Sequence, residues 1–178
     1  MTIYDIVLYP DTPLRDKAKP FDDTEFGPKL EKLAENMIAT MFENDGVGLA
    51  GPQIGLSKRI FVLCEPEGEP QCFVNPTLSD LDGRENGEEG CLSMPKIYGQ
   101  VPRATSLHIE ARTPLGDPIA MDAEGFLARI MQHEYDHLDG VMFPDRLDIL
   151  SREALYRDWE SLREAIENGD LITTETPS

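Results

Sequence analysis

The segment His133-Glu134-Tyr135-Asp136-His137 has the residue types and spacing of a metal-dependent hydrolytic site. On a helix, residues four apart point the same way about one turn apart, so both imidazoles can reach a single metal ion. Glu134 directly follows the first histidine, which leaves it beside the metal yet free to move a proton. The chain has three histidines, and this motif takes two of them. The plainer alternative is two surface histidines on a polar helix face.

The surrounding residues read as helix. Asp122 is a candidate N-cap, with Glu124 in the first turn. Phe126, Ile130, His133 and His137 follow at spacings of four, three and four, which is one helical stripe. The histidines therefore continue an apolar face, where a polar group needs a partner, either a backbone carbonyl or a metal. Gly140 suits the C-terminal cap because glycine tolerates the left-handed conformation.

Two histidines do not complete a catalytic site, which commonly takes three protein ligands and one open position. A third histidine beyond Gly140 is excluded, since Phe143 stands there. A glutamate on a later helix, Glu153 or Glu160, would make a metallopeptidase. Cys91, in Glu88-Glu89-Gly90-Cys91-Leu92-Ser93, is the other candidate, because a thiolate binds metals and its glycine neighbour lets the backbone approach a ligand. A third segment, Gly46-Val47-Gly48-Leu49-Ala50-Gly51-Pro52-Gln53-Ile54-Gly55, carries four glycines in ten residues. It lacks the Lys-Ser/Thr ending of a phosphate-binding loop and does not follow a strand as a dinucleotide fingerprint would. Alone it reads as a helix-to-strand turn.

Together, and in this order, the three segments resemble the peptide deformylases, which carry a G-x-G-L-A-x-x-Q loop, an E-G-C-L-S segment and a Q-H-E-x-D-H-L-x-G helix. Here these are Gly46 to Gln53, Glu89 to Ser93, and Gln132 to Gly140. The similarity runs from Tyr9-Pro10-Asp11 to about residue 150. The resemblance implies that Cys91, His133 and His137 are metal ligands and that Glu134 is the general acid/base. It implies that the Gln53 amide and the Leu92 backbone N–H face a developing oxyanion, and that Glu89 pairs with Arg103. Val47 and Gly48 would present backbone groups to an extended peptide, and Phe126 and Ile130 would line a pocket for a methionine side chain. The implied activity is removal of the N-formyl group from the N-terminal methionine of new proteins. The implied metal is Fe2+, with Zn2+ or Ni2+ replacing it on isolation. Three departures stand out: Gly51 where the family usually has Ala, Pro52, and Met94 where Val or Ile is usual. Gly51 is expected to loosen the loop that positions Gln53. Activity on another N-acyl group, an HExxH metallopeptidase and a binding module without turnover are the rival readings.

The elements that must position these residues can be read next. Leu30, Leu33, Ala34, Met37, Ile38, Met41 and Phe42 recur at helical spacing and mark a first long helix. Arg59 to Cys64, Gln71 to Asn75 and Ser106 to Arg112 read as strands, with turns at Pro66 to Pro70 and at Asp82-Gly83. Ser151 to Asn168 forms an amphipathic helix with the stripe Leu155, Trp159, Leu162 and Ile166, capped by Ser151. The expected fold is α+β, with short antiparallel strands packed around a central metal-binding helix and a C-terminal helix. Residues 1–168 are expected to form one catalytic domain, and residues 169–178 a mobile tail.

At 178 residues one domain is the natural count, and 40% hydrophobic with 28% charged residues is ordinary for a globular chain. The start, Met1-Thr2-Ile3-Tyr4-Asp5, has no basic region or long apolar run, and no stretch approaches membrane-spanning length. Three cysteines, an odd number, fit a reducing compartment, and a cytoplasmic location is expected. Cys64 and Cys72 fall in strand-like runs and read as core packing. A net charge of −18 argues against direct nucleic-acid binding. The expected partners are formyl-methionyl nascent peptides. Some deformylases dock to the ribosome through a basic C-terminal helix. Here Arg152, Arg157 and Arg163 alternate with Glu153, Asp158, Glu160, Glu164 and Glu167, which leaves that docking open.

Overall fold

A computed structural model of the chain describes residues 1–170. The greater part of the tail expected at 169–178 thus lies outside the described residues. The first helix, α1, spans Pro28–Glu43 and has proline in its first turn, where the missing N–H costs nothing. Seven strands follow: β1 Gly48–Ala50, β2 Ile60–Leu63, β3 Gln71–Asp82, β4 Glu85–Cys91, β5 Met94–Arg103, β6 Ser106–Arg112 and β7 Pro118–Glu124. The motif helix α2 covers Gly125–Leu138, and α3 covers Ile149–Glu167. Five strands form one antiparallel sheet in the order β1-β2-β3-β6-β7, while β4 and β5 pair as a separate antiparallel hairpin. The architecture is the expected α+β one.

Helix α2 lies across the five-stranded sheet. Its Ala128, Ile130, Met131 and Leu138 pack with Phe61, Leu63, Phe73, Leu107 and Ile109 in one cluster. On the far side of the sheet α1 buries Leu30, Met37 and Met41 against Leu49, Ile60, Val62 and Val74. The hairpin packs against α3 through Met94, Ile97, Val101, Phe143 and Trp159. Trp159 is fully buried and donates its indole N–H to the Tyr9 carbonyl at 2.8 Å. Truncating such a side chain typically costs about 3–5 kcal/mol, so α3 is an integral part of the body. Among the described residues no helix is long and apolar enough to cross a membrane.

Several boundaries differ from the sequence reading. Asp122 does not cap α2: strand β7 continues through it, and its carboxylate instead bonds His108 at 2.8 Å. The N-cap is Glu124. In α3 the cap is Asp148, which accepts from the Ser151 N–H at 2.9 Å, so Ser151 is the capped residue rather than the cap. Strand β3 runs seven residues beyond Asn75, to Asp82. The stripe Leu155, Trp159, Leu162 and Ile166 does face the body.

Candidate active site

Three stretches of chain converge on one buried point. Cys91 ends β4, where the ladder slips between Gly90 and Cys91. His133 and His137 project from α2, and their ring centroids are 5.0 Å apart. The Cys91 thiol and one ring nitrogen from each histidine lie within 4.8 Å of one another. The Sγ of Cys91 is 3.4 Å from His137 Nε2. Glu153 and Glu160, the alternative third ligands, are exposed on α3 and outside this group.

The cluster fits a bound cation. Among the described residues, His137 Nδ1 and Glu134 Oε2 are buried without any hydrogen-bond partner, which is costly unless a ligand or water completes them. Burial, with the neighbouring His133, holds the His137 pKa well below 6.5, so its ring is neutral, as metal ligation requires. Burial also pulls on His133, but bonds to Cys91 and Glu89 outweigh it and hold its pKa well above 6.5, so a cation seated between these groups would have to displace the proton on this ring. One thiolate and two imidazoles form a donor set suited to zinc, iron or nickel.

Glu134 is buried, and burial pushes its pKa up to about 7. Its carboxyl lies against β1: a Cβ at Gly48 would come within 2.5 Å of Oε1, so only glycine lets strand and carboxyl approach this closely. Gln53 is 1% exposed and has a fixed orientation. Its Oε1 accepts from the Ala50 N–H at 2.9 Å, while Nε2 points at Ser93 Oγ (3.2 Å) and Cys91 Sγ (3.5 Å). The amide therefore turns its donor end towards the cluster. The cavity beside the cluster is lined by Val47, Gly48, Gln53, Leu92, Phe126, Ile130 and Glu134, among others. Phe126 is 47% exposed, so it borders the mouth rather than continuing the buried stripe.

The loosening expected at Gly51 is not what the packing shows. A Cβ there would sit 2.7 Å from the Lys58 carbonyl and 2.9 Å from the Leu56 carbonyl, both backbone. Glycine here lets the Leu56–Lys58 backbone pack closely against Gly51, and the Leu56 N–H bonds the Gly51 carbonyl at 3.0 Å.

A buried ion network supports the ligands. Glu89 receives Arg103 through two bonds of 2.9 Å, and His133 Nδ1 at 2.8 Å. The Glu89–Arg103 pairing matches the sequence expectation. Four further partners escaped it. Arg129 bonds Glu89 at 2.6 Å. Asp136 bonds Arg103 at 2.6 Å and Arg146 at 2.6 and 3.0 Å. Ser93 receives Gln53. Arg103 thus joins β4, which carries Cys91, to α2, which carries both histidines. The segment around Val7 to Tyr9 braces both site loops, with Val7 N–H on the Gln53 carbonyl (2.8 Å) and Tyr9 N–H on the Ser93 carbonyl (2.9 Å).

Comparison with known proteins agrees with this geometry. The sequence pattern of the family described as polypeptide deformylase matches residues 3–153. A peptide deformylase of Desulforudis audaxviator is 46% identical over 147 residues, covering 82% of this chain and 94% of that protein. The crystal structure of a Thermus thermophilus peptide deformylase superposes with a TM-score of 0.84 at 43% identity, covering 89% of this chain and 94% of that one. A class I type b peptide deformylase from Acinetobacter baumannii, crystallised with bound Met-Ala-Ser, has a TM-score of 0.80 at 35% identity, covering 82% of this chain and 99% of that one. On sequence pattern, identity and fold together, the chain belongs to the polypeptide deformylase family.

Proposed function

We propose that this chain is a metal-dependent hydrolase that removes the N-formyl group from the N-terminal methionine of nascent polypeptides and releases formate. The observation that carries the reading is the meeting of Cys91, His133 and His137 at one buried point beside a free carboxyl, Glu134, and an oriented amide, Gln53. Residues 1–168 would act as one catalytic domain, a reading supported by the burial of Trp159 against the body.

Cys91, His133 and His137 would hold the metal, which we assign as Fe2+, with Zn2+ or Ni2+ able to take its place. A divalent cation there supplies Lewis acidity, making a water acidic enough to lose a proton near neutral pH. Glu134, whose Oε2 is unpartnered, would take a proton from the attacking water as the water oxygen adds to the formyl carbon. Gln53 Nε2 and the Leu92 N–H donate to the oxygen as it gains charge, a contact of the kind typically worth about 3–4 kcal/mol. Glu134 returns its proton to the leaving amine as the C–N bond breaks, giving formate and a free N-terminus. Val47 and Gly48 flank the peptide backbone, while Phe126 and Ile130 take the methionine side chain. The Met-Ala-Ser bound by the Acinetobacter relative supports a methionine-first ligand.

The partners would be formyl-methionyl nascent chains in the cytoplasm, without direct nucleic-acid or membrane binding. Arg163 of α3 is paired with Asp11 and Glu167 at 2.9 Å each, and the mixed charges of this helix speak against docking to the ribosome through a basic face. The test is formate release from formyl-Met and acetate release from acetyl-Met peptides, using ferrous enzyme prepared without oxygen. Formate release with little acetate release supports the proposal. The reverse pattern would assign another N-acyl substrate, and cleavage of internal bonds would assign a peptidase.

A further inference from the structure

An amide can donate to a substrate oxygen only if its N–H end faces the reacting centre. The Gln53 side chain is buried, so its orientation is set by the groups packed around it. Its two ends are held by different parts of the chain. The Ala50 N–H, from the loop that carries Gln53 itself, donates to Oε1 at 2.9 Å. This bond fixes which end of the amide is oxygen, because a backbone N–H cannot accept. At the other end Nε2 donates to Ser93 Oγ at 3.2 Å, a partner 40 residues further along the chain.

Ser93 is fully buried at the tip of the β4–β5 hairpin, where Leu92 and Ser93 link the paired Cys91 and Met94. This turn is tied to the same N-terminal segment as Gln53. The Tyr9 N–H donates to the Ser93 carbonyl at 2.9 Å, and the Val7 N–H donates to the Gln53 carbonyl at 2.8 Å. The two backbones are thereby set against one another, and Ser93 Oγ meets the amide from a fixed place. An amide nitrogen carries two N–H groups. With one held on Ser93 Oγ, the other is left for the side of the cluster, where Nε2 has a long contact of 3.5 Å to Cys91 Sγ. Sulfur is a weak acceptor, so that contact is readily exchanged for one to an oxygen.

We infer that Ser93 is a positioning residue for the reaction, its hydroxyl oxygen holding one N–H of the Gln53 amide so that the other is presented to the formyl oxygen. This rests on the deformylase reading. The effect has a ceiling: a residue acting through Gln53 cannot matter more than Gln53 itself, about 10²–10³ in turnover. Ala50 still holds Oε1 when the hydroxyl is gone, so the amide is misplaced rather than lost, and turnover should fall by about ten- to hundredfold. A hydroxyl that merely filled a buried space would affect stability and leave turnover alone.

The experiment measures kcat and KM for formyl-Met-Ala-Ser on metal-loaded wild type, Ser93→Ala, Gln53→Leu and the double variant. Ser93→Ala should lower kcat by about ten- to hundredfold, with KM and metal content close to wild type. In the Gln53→Leu background the same change should alter kcat by less than about twofold, because the group it positions is absent. A wild-type kcat in Ser93→Ala, a change in KM alone, or an equal loss in both backgrounds overturns the inference. A second readout uses the wild type: the Gln53 side-chain amide of the Zn2+-loaded protein is followed by NMR as sodium formate is added. One Nε2 proton resonance should move while the other, held on Ser93, stays in place. Both moving, or neither, overturns the inference even if Ser93→Ala fails to fold. A wild type that releases no formate from formyl-Met-Ala-Ser would sink the deformylase reading instead, and the formate titration would still decide what Ser93 does.

Discussion

Replacing Glu89 by glutamine should both destabilise the fold and weaken metal binding. The carboxylate, 7% exposed, receives four short bonds, from Arg103 twice, from Arg129 and from His133. Glutamine keeps the shape but removes the charge and turns an N–H2 towards those donors. Breaking a buried pair by removing one partner costs about 3–5 kcal/mol. Arg103 keeps Asp136 at 2.6 Å as a counter-charge, which places the loss at the lower end, about 3 kcal/mol. That is a large share of a stability of about 5–15 kcal/mol. In urea, with a slope of about 2 kcal/mol per molar, the midpoint should fall by about 1.5 M. The pH dependence has a definite sign. Burial alone would raise the Glu89 pKa, but the bonds from His133 and Arg103 outweigh it and hold the carboxyl well below its ordinary 4.5. A depressed folded pKa gives stability that is complete above 4.5 and is lost as pH falls below it. The wild-type and Glu89→Gln midpoints should therefore differ at pH 7 and converge in acid. His133 also loses the acceptor that orients its ring, and metal affinity should drop by about 10- to 100-fold. Urea titrations of metal-free protein between pH 7 and 3, with metal competition at pH 7, read both effects. An unchanged midpoint with unchanged metal affinity would refute the network argument.

Three further outcomes follow from the same geometry. Cys91→Ala, His133→Ala and His137→Ala should each lose bound metal, while Glu153→Ala and Glu160→Ala should keep it; metal analysis showing the opposite pattern would overturn the ligand assignment. Gln53→Leu should lower turnover by about 10²–10³ while peptide binding persists, and should also cost about 1–3 kcal/mol, because the Ala50 N–H loses its acceptor. Gly51→Ala, a change towards the residue usual in the family, should destabilise by about 1–3 kcal/mol, because the added methyl meets two backbone carbonyls; a raised melting temperature would contradict this.

The parts of the site legible in the sequence were those whose meaning lies in local spacing. His133, Glu134 and His137 declare themselves by helical period, and α1 and α3 by their apolar stripes. The Cys91 and Gln53 segments became readable through resemblance, since neither has a periodic signal. What stayed hidden was set by tertiary contact. Strand β4 reads Glu-Asn-Gly-Glu-Glu-Gly-Cys, with little strand propensity. It forms because it pairs with β5 and because Glu89 finds Arg103. Strand β5 carries Pro95, Gly99 and Pro102, which local rules read as turn. Asp122 had the chemistry of a helix cap, but pairing of β7 with β6 took it into the sheet instead. Arg129, Asp136 and Arg146 look like ordinary helix and loop charges until the fold gathers them around Glu89 and Arg103.

The central claim is that Glu134 carries the proton and does not bind the metal, and the Glu134→Gln variant tests it most directly. Burial sets the Glu134 pKa at about 7, and a cation nearby can only lower it. A base must be deprotonated to act, so wild-type turnover should rise with pH along a limb centred at or below about 7. In Glu134→Gln, metal content and formyl-peptide affinity should match wild type. Formate release should fall by about two to four orders of magnitude, and that limb should vanish. Formate release near the wild-type rate, or loss of the metal from the variant, would contradict the account.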